Sequence, residues 1–467
     1  QLFMKKYFFK KVYYIKLIIC GLLTISYSCD NFVEIEQPNS QLITESVYRD
    51  AATANAAMTD IYAQMREQGL ITGKINGLSC LLGTYADELI SFEDGIYTTA
   101  PFYSNTLSPS MTYISNIWNR TYSQIYAVNA VIEGVENSTA LSQDVKKQLK
   151  GEALFLRSFL HFHLVNLYGD VPYITTTDYN KNKNAVRINS TEVNQKVIND
   201  LKDAASLLGK TYSQSDRIRP NRSAVQSVLA RVYLYNNNYE EAQTMASAVL
   251  NEKSLYSIGT NLNTVFLKDS PATIWQLSAG PNGANTYQGA TFIFQAGPPS
   301  RVSLTESLIT QFETNDLRKT SWIKTVTNGN NKWYHPFKYK QNNNTAVTQE
   351  NSVVLRLEEQ YLIRAEARAM QGELNGAVED LNVIRNRAGL SGTTAVSHND
   401  ILKAIEHERR VELFSEFGHR FFDLKRWNQL ENVLGTKTGW NRTDSLWPLP
   451  LSEMNSNPFL TPQNPGY

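Results

Sequence analysis

The sequence predicts a mainly α fold, a scaffold of packed helix pairs with long loops and small β elements inserted, and three observations predict it. Two stretches carry the spacing of a helix-turn-helix repeat. Two others show long helical periodicity, and the segments between them are rich in Gly, Asn, Thr, Pro and aromatic residues. In chain order, the patterns over 113–135 and 145–168 predict the first pair. In the next, Leu229, Ala230, Tyr233 and Ala242 take the large-small-aromatic-small spacing of a tetratricopeptide-like unit, with Asn236 to Asn238 as its turn. Val225, Val228, Val232 and Tyr235 line one face of its first helix, and Tyr239, Ala242, Ala246 and Val249 line its second. In the last, Tyr361, Ala365, Ala377, Leu381 and Ile384 take equivalent places around Gln371-Gly372-Glu373. Three such pairs bury a continuous core. Loop-rich inserts are expected near 69–109 and 254–348, and long loops on a helical scaffold usually carry function.

Formal charge is +1, from 45 basic and 44 acidic residues, so no polyanionic partner such as nucleic acid is indicated. Aromatics reach 11%, with 25 tyrosines, and such residues offer area and a hydroxyl to sugars or proteins at little entropic cost.

Residues 1–28 predict a lipoprotein-type export signal. From the expected start at Met4, Lys5, Lys6, Lys10, Lys11 and Lys16 form a basic segment, and residues 17–25 are almost wholly apolar yet too short to span a bilayer. Small Ser26 and Ser28 then precede Cys29, the expected site of lipid attachment. With Cys20 removed and Cys29 acylated, Cys80 stands alone in the mature chain 29–467 and no internal disulfide forms.

Residues 405–427 are the densest run of paired charges among apolar residues. On a helix, Glu408, Glu412, Glu416 and Arg420 stack along one ridge, with Arg409 within pairing range of Glu412. Phe414, Phe417, Phe421 and Phe422 add an apolar side, which predicts a structural ion-pair helix beside a core.

That string resembles the C-terminal signature of the SusD/RagB family of nutrient-binding outer-membrane lipoproteins of Bacteroidetes. The likeness continues in Asp30-Asn31-Phe32-Val33-Glu34-Ile35, in residues 151–157 followed by Tyr168-Gly169-Asp170-Val171-Pro172, in Arg364-Ala365-Glu366-Ala367, in residues 382–390 and in Gln463-Asn464-Pro465-Gly466-Tyr467. The resemblance implies a surface lipoprotein that captures an oligomeric nutrient, most simply a glycan. It implies delivery to a SusC-like TonB-dependent transporter in the outer membrane, with no catalysis. A peptide ligand within the family, a helical-repeat adaptor that binds only protein, and a cell-surface hydrolase stay open as alternatives.

No catalytic, metal or cofactor motif is complete. His407-Glu408 lacks a second histidine at Val411, Gly209-Lys210-Thr211 lacks a leading glycine at Ala204, and residues 77–81 lack the closing glycine of a nucleophile elbow. His161 and His163 are expected in the core or an interface. Sugar capture needs aromatic planes flanked by amides, acids or arginines. Two loop regions offer that mixture: Asp87, Glu88, Tyr97, Phe102 and Tyr103 in one, and Trp322, Trp333 and Tyr334 in the other.

Overall fold

The computed structural model describes residues 46–96 and 98–467, so Cys29, the expected leader 1–28 and Tyr97 lie outside the described residues. Its longer helices are α1 (Ala51–Glu67), α2 (Leu78–Tyr85), α3 (Thr112–Asn137), α4 (Gln143–Tyr168), α5 (Ser190–Leu207), α6 (Arg222–Tyr235) and α7 (Tyr239–Leu250). After a strand-rich interval come α8 (Leu357–Met370), α9 (Leu374–Arg387), α10 (His398–Glu412) and α11 (His419–Arg426). Each of the expected pairs is present. The helices pack in succession, α3 on α4, α4 on α5, and so on to α10.

Local chemistry sets the ends. Ser142 caps α4 through Val145 N–H, Asn189 caps α5 through Glu192, and Asn221 caps α6 through Ala224. The turn between α6 and α7 bends at Asn237, φ 60°, a conformation asparagine tolerates, and that between α8 and α9 bends at Gly372, φ 82°. Ala230, Ala242 and Ala246 are wholly buried at the α6–α7 crossing, and Ala365 and Ala377 at the α8–α9 crossing, so the backbones approach closely.

The strands form two small antiparallel sheets among the described residues. β1 (Leu89–Ser91), β3 (Val302–Leu304), β5 (Asn331–Pro336) and β4 (Ile323–Asn328) form a four-stranded sheet in that order, and β2 (Thr273–Leu277) pairs with β6 (Ser352–Arg356). One face of the larger sheet covers a core of Leu89, Phe266, Leu304, Trp322 and Phe414. The main core joins α1 to α7 with Trp447, Leu449 and Leu460 near the C-terminus.

The charged C-terminal run departs from the expected single helix. α10 ends at Glu412, and α11 begins only after Ser415, Phe417 and Gly418 take positive φ. A distant side chain accounts for the break. Lys338 Nζ donates to the carbonyls of Glu412 and Phe414 at 2.8 Å each, and Arg356 Nη2 also donates to the Glu412 carbonyl. Those carbonyls would otherwise accept the amides of a continuing helix.

The ridge pairing is corrected accordingly. Glu416 pairs with Arg356 and Lys338, Arg409 with Asp423 rather than Glu412, and Arg420 with Asp87. Glu412, wholly buried, sits among Arg318, Arg356 and Arg387, and Arg318 also holds Asp316 and Glu408. Burial alone would raise the Glu412 carboxyl, and the Arg387, Arg356 and Arg318 guanidinium groups outweigh it, holding its pKa well below the carboxylate range. His161 and His163 are interior. Their Nδ1 atoms face the carbonyls of Arg157 and Phe159 one turn back, and burial lowers their pKa values to about 4 and about 3.

Candidate functional site: an aromatic loop surface

The four-stranded sheet organises the residues expected to meet a ligand. Leu89 of β1 lies opposite Leu304 of β3, and Leu304 opposite Tyr334 of β5. Asp87 and Glu88, just before β1, are tied to the same line because Thr305 donates its amide to the Glu88 carbonyl and its hydroxyl to that of Asp87. At the other end, Phe92 N–H donates to the Arg301 carbonyl at 2.7 Å. Beyond it the 93–99 loop is closed by the Glu93 carboxylate, which accepts from Thr99 amide and hydroxyl. From the Arg301 end to the Leu304 end is about 10 Å of strand.

Four of the expected residues are turned to structural work. Trp322 is wholly buried, its Nε1 donating to the Leu262 carbonyl at 2.9 Å and its ring covered by Lys338 and Arg387 at 5.0 and 5.3 Å. Phe102 is also wholly buried, edge-on to Trp447 at 5.3 Å between centroids. Neither offers a ring face to a ligand. Asp87 accepts from Arg420 at 2.8 and 3.0 Å and from Arg410 at 2.7 Å; burial opposes its ionisation, Arg420 and Arg410 favour it, and its pKa is lowered. Glu88 is buried, accepting from Ser415 N–H at 3.2 Å, and burial followed by the adjacent Asp87 charge raises its pKa to about 7.

Three described residues of the set keep ring surface in solvent. Tyr103, 37% exposed, ends the short Ala100–Tyr103 helix with Lys437 Nζ 5.3 Å from its centroid. Trp333 and Tyr334 are half-buried neighbours on β5, so strand alternation sends them to opposite faces. Tyr334 packs on the core beneath the sheet. Trp333 lies against Gly297, where a Cβ would meet the indole at 2.1 Å, so only glycine admits the ring. Asn328 Nδ2 donates to the Gly297 carbonyl at 3.0 Å, tying that loop to the β4–β5 hairpin. Trp333 is thereby an aromatic surface held by the 297 loop, with no cation over its ring among the described residues.

Comparison with known proteins resolves the affiliation. Residues 31–234 match a family model described as starch-binding associating with outer membrane, and residues 282–467 match that of the SusD family. The chain belongs to the SusD/RagB family. The SusD-like protein P38 of Formosa agariphila is 26% identical across 99% of this chain and 100% of its own length. A SusD superfamily protein from Bacteroides vulgatus has the same fold, with a TM-score of 0.79 at 22% identity, covering 90% of this chain and 99% of that one. A laminarin-binding SusD-like protein aligns with a TM-score of 0.75 at 21% identity over 89% and 99% of the two chains.

The SusD/RagB C-terminal motifs build the frame of this surface. Arg410 and Arg420 secure Asp87, and Lys437 Nζ donates to the carbonyls of Thr84, Tyr85 and Ala86 where α2 ends. Trp118, Tyr122 and Tyr126 lie on α3, where the sequence predicts only one member of a helix pair. Their four-residue spacing was the available signal.

Proposed function

We propose that this SusD/RagB chain captures a glycan at the cell surface and passes it to a TonB-dependent transporter in the outer membrane, where Cys29 anchors it by a lipid. The fixed indole of Trp333 at the sheet surface is the observation that carries the reading, since a sugar packs its apolar ring face on such a plane. Tyr103, 37% exposed, and Tyr97, expected from the sequence, are proposed as further contacts, whereas Tyr334 turns to the core beneath the sheet and supports the strand. The outer-membrane description of the matched family and the laminarin-binding neighbour support the ligand class and the location. Capture without turnover agrees with the state of the nearby acids. Asp87 is neutralised by two arginines and Glu88 is enclosed, so neither is placed to work on a bound sugar.

The test is titration of the purified chain with soluble glycans, with analysis for released products. Trp333→Ala should weaken binding at least tenfold with little movement of the melting temperature, as loss of one stacking aromatic implies. Unchanged curves for Trp333→Ala, Tyr103→Ala and Tyr97→Ala, each folded, sink the loop assignment. Product release by the wild type would move the chain to the hydrolase reading.

A further inference from the structure

We propose a second carbohydrate-binding site, for a neutral oligosaccharide, in the cavity beside α3. It shares its ligand class with the loop surface and none of its residues. The open cavity has a volume of about 460 Å³, within the roughly 300 to 1,000 Å³ of small-ligand sites. Three segments far apart in sequence form it: the outer side of α3, residues 172–185 after α4, and residues 453–460 near the C-terminus.

Its floor is an aromatic ridge. Trp118, Tyr122 and Tyr126 stand four residues apart on α3, so they rise along one face over about 12 Å; Trp118 is buried and Tyr122 half-buried, so these two support the ridge and Tyr126 at its upper end presents the ring face. The lower part of the ridge is rigid. Trp118 and Tyr122 have centroids 4.8 Å apart, Trp118 meets Tyr168 edge-on at 4.9 Å, and the Tyr122 hydroxyl donates to the Pro172 carbonyl at 2.9 Å. The upper part is open: Tyr126 is 52% exposed, and Tyr179 on the facing wall is 74% exposed. Such large rings left in solvent around one concavity are unusual for a surface with no ligand.

The walls supply polar groups already held in place. Asn182 Nδ2 donates to the Thr176 carbonyl at 2.7 Å, and Asn457 Nδ2 to the Ala185 carbonyl at 2.8 Å. Fixed amides beside ring planes can bracket hydroxyls without first losing rotamer freedom. Charge selects the ligand. One cation, Lys183, and one anion, Glu453, line the cavity, so there is no excess of either sign to hold a phosphate or a polyuronate.

The test is affinity electrophoresis of the full mature chain in gels containing laminarin, starch, xylan, galactan or mannan. The cavity variant is Tyr126→Ala with Tyr179→Ala, both exposed and therefore tolerable to the fold; the loop variant is Trp333→Ala with Tyr103→Ala. On a polysaccharide that retards the wild type, the cavity variant should need roughly tenfold more polymer for equal retardation. Combination with the loop variant should abolish retardation. A cavity variant that migrates like wild type overturns the second site and leaves the loop reading standing. A loop variant that migrates like wild type while the cavity variant is not retarded does the reverse. No retardation of wild type by any of the five polymers, or full retardation of the combined variant, overturns both.

Discussion

Arg420 grips Asp87 with Nε at 2.8 Å and Nη2 at 3.0 Å, joining α11 to the segment before β1 across 333 residues of chain. Arg410 shares the same carboxylate, and all three side chains are largely buried. Arg420→Ala would leave Asp87 with a single partner, at a cost of about 3 kcal/mol, the lower end of the range for breaking a buried pair. Denaturant unfolding should show that loss while glycan affinity of the folded variant stays at the wild-type level. Lost binding in a variant of unchanged stability would place Arg420 in the ligand site.

Glu412→Gln should destabilise more than Arg420→Ala, by about 3 to 5 kcal/mol, because it removes the buried carboxylate that Arg318, Arg356 and Arg387 share and leaves their charges only partly balanced by Asp316, Glu358, Glu408 and Glu416. The lowered pKa of Glu412 fixes the sign with pH. Its contribution is complete above the unfolded carboxylate range, about pH 4, and is lost as pH falls toward the folded value. Urea unfolding from pH 7 to pH 3 should therefore show a shallower decline for the variant than for the wild type. Parallel declines would show that the carboxylate is not the group responsible.

Glu88 gives the opposite sign. Its pKa is raised to about 7 by burial and by Asp87, so it favours the folded state while protonated, and that contribution is lost as pH rises from about 4 through 7. Glu88→Gln imitates the protonated form. It should stabilise the protein by on the order of 2 kcal/mol at pH 8, have little effect at pH 4, and leave glycan binding intact. Equal melting temperatures at pH 8 would refute an enclosed, reluctantly ionised Glu88.

Cys29→Ala should release the protein from the outer membrane, since the lipid chain is the proposed attachment and among the described residues no helix is long and apolar enough to cross a bilayer. Fractionation after a salt wash reads the result. Continued sedimentation with the membrane would place the anchor elsewhere.

The helix pairs were legible because their signals are local: alanines at the crossings, valines at helical spacing, and Asn237 or Gly372 where the chain reverses. The interruption after Glu412 was not, because Lys338, 74 residues earlier, takes the carbonyls that a helix needs. The same limit governs the rings. Trp322 and Trp333 lie in similar company in the sequence, yet one donates to Leu262 inside the core and the other rests on Gly297 at the surface. Tertiary neighbours make that difference, and the sequence near each ring does not name them. The cavity beside α3 likewise showed only its floor, since its walls come from segments more than forty and more than three hundred residues away.

Asn464 Nδ2 donates to the carbonyls of Tyr168 and Trp447, and Trp447, Leu449 and Leu460 fill the core that α3 and α4 begin. The early helices thus cannot finish excluding water until the last residues of the chain arrive. For a polypeptide made from its N-terminus, this postpones the committed fold to the end of synthesis, since such distant contacts close late. If the proposed leader directs export, the chain would leave the ribosome still pliable enough to be threaded across a membrane, and would lock into shape on the far side.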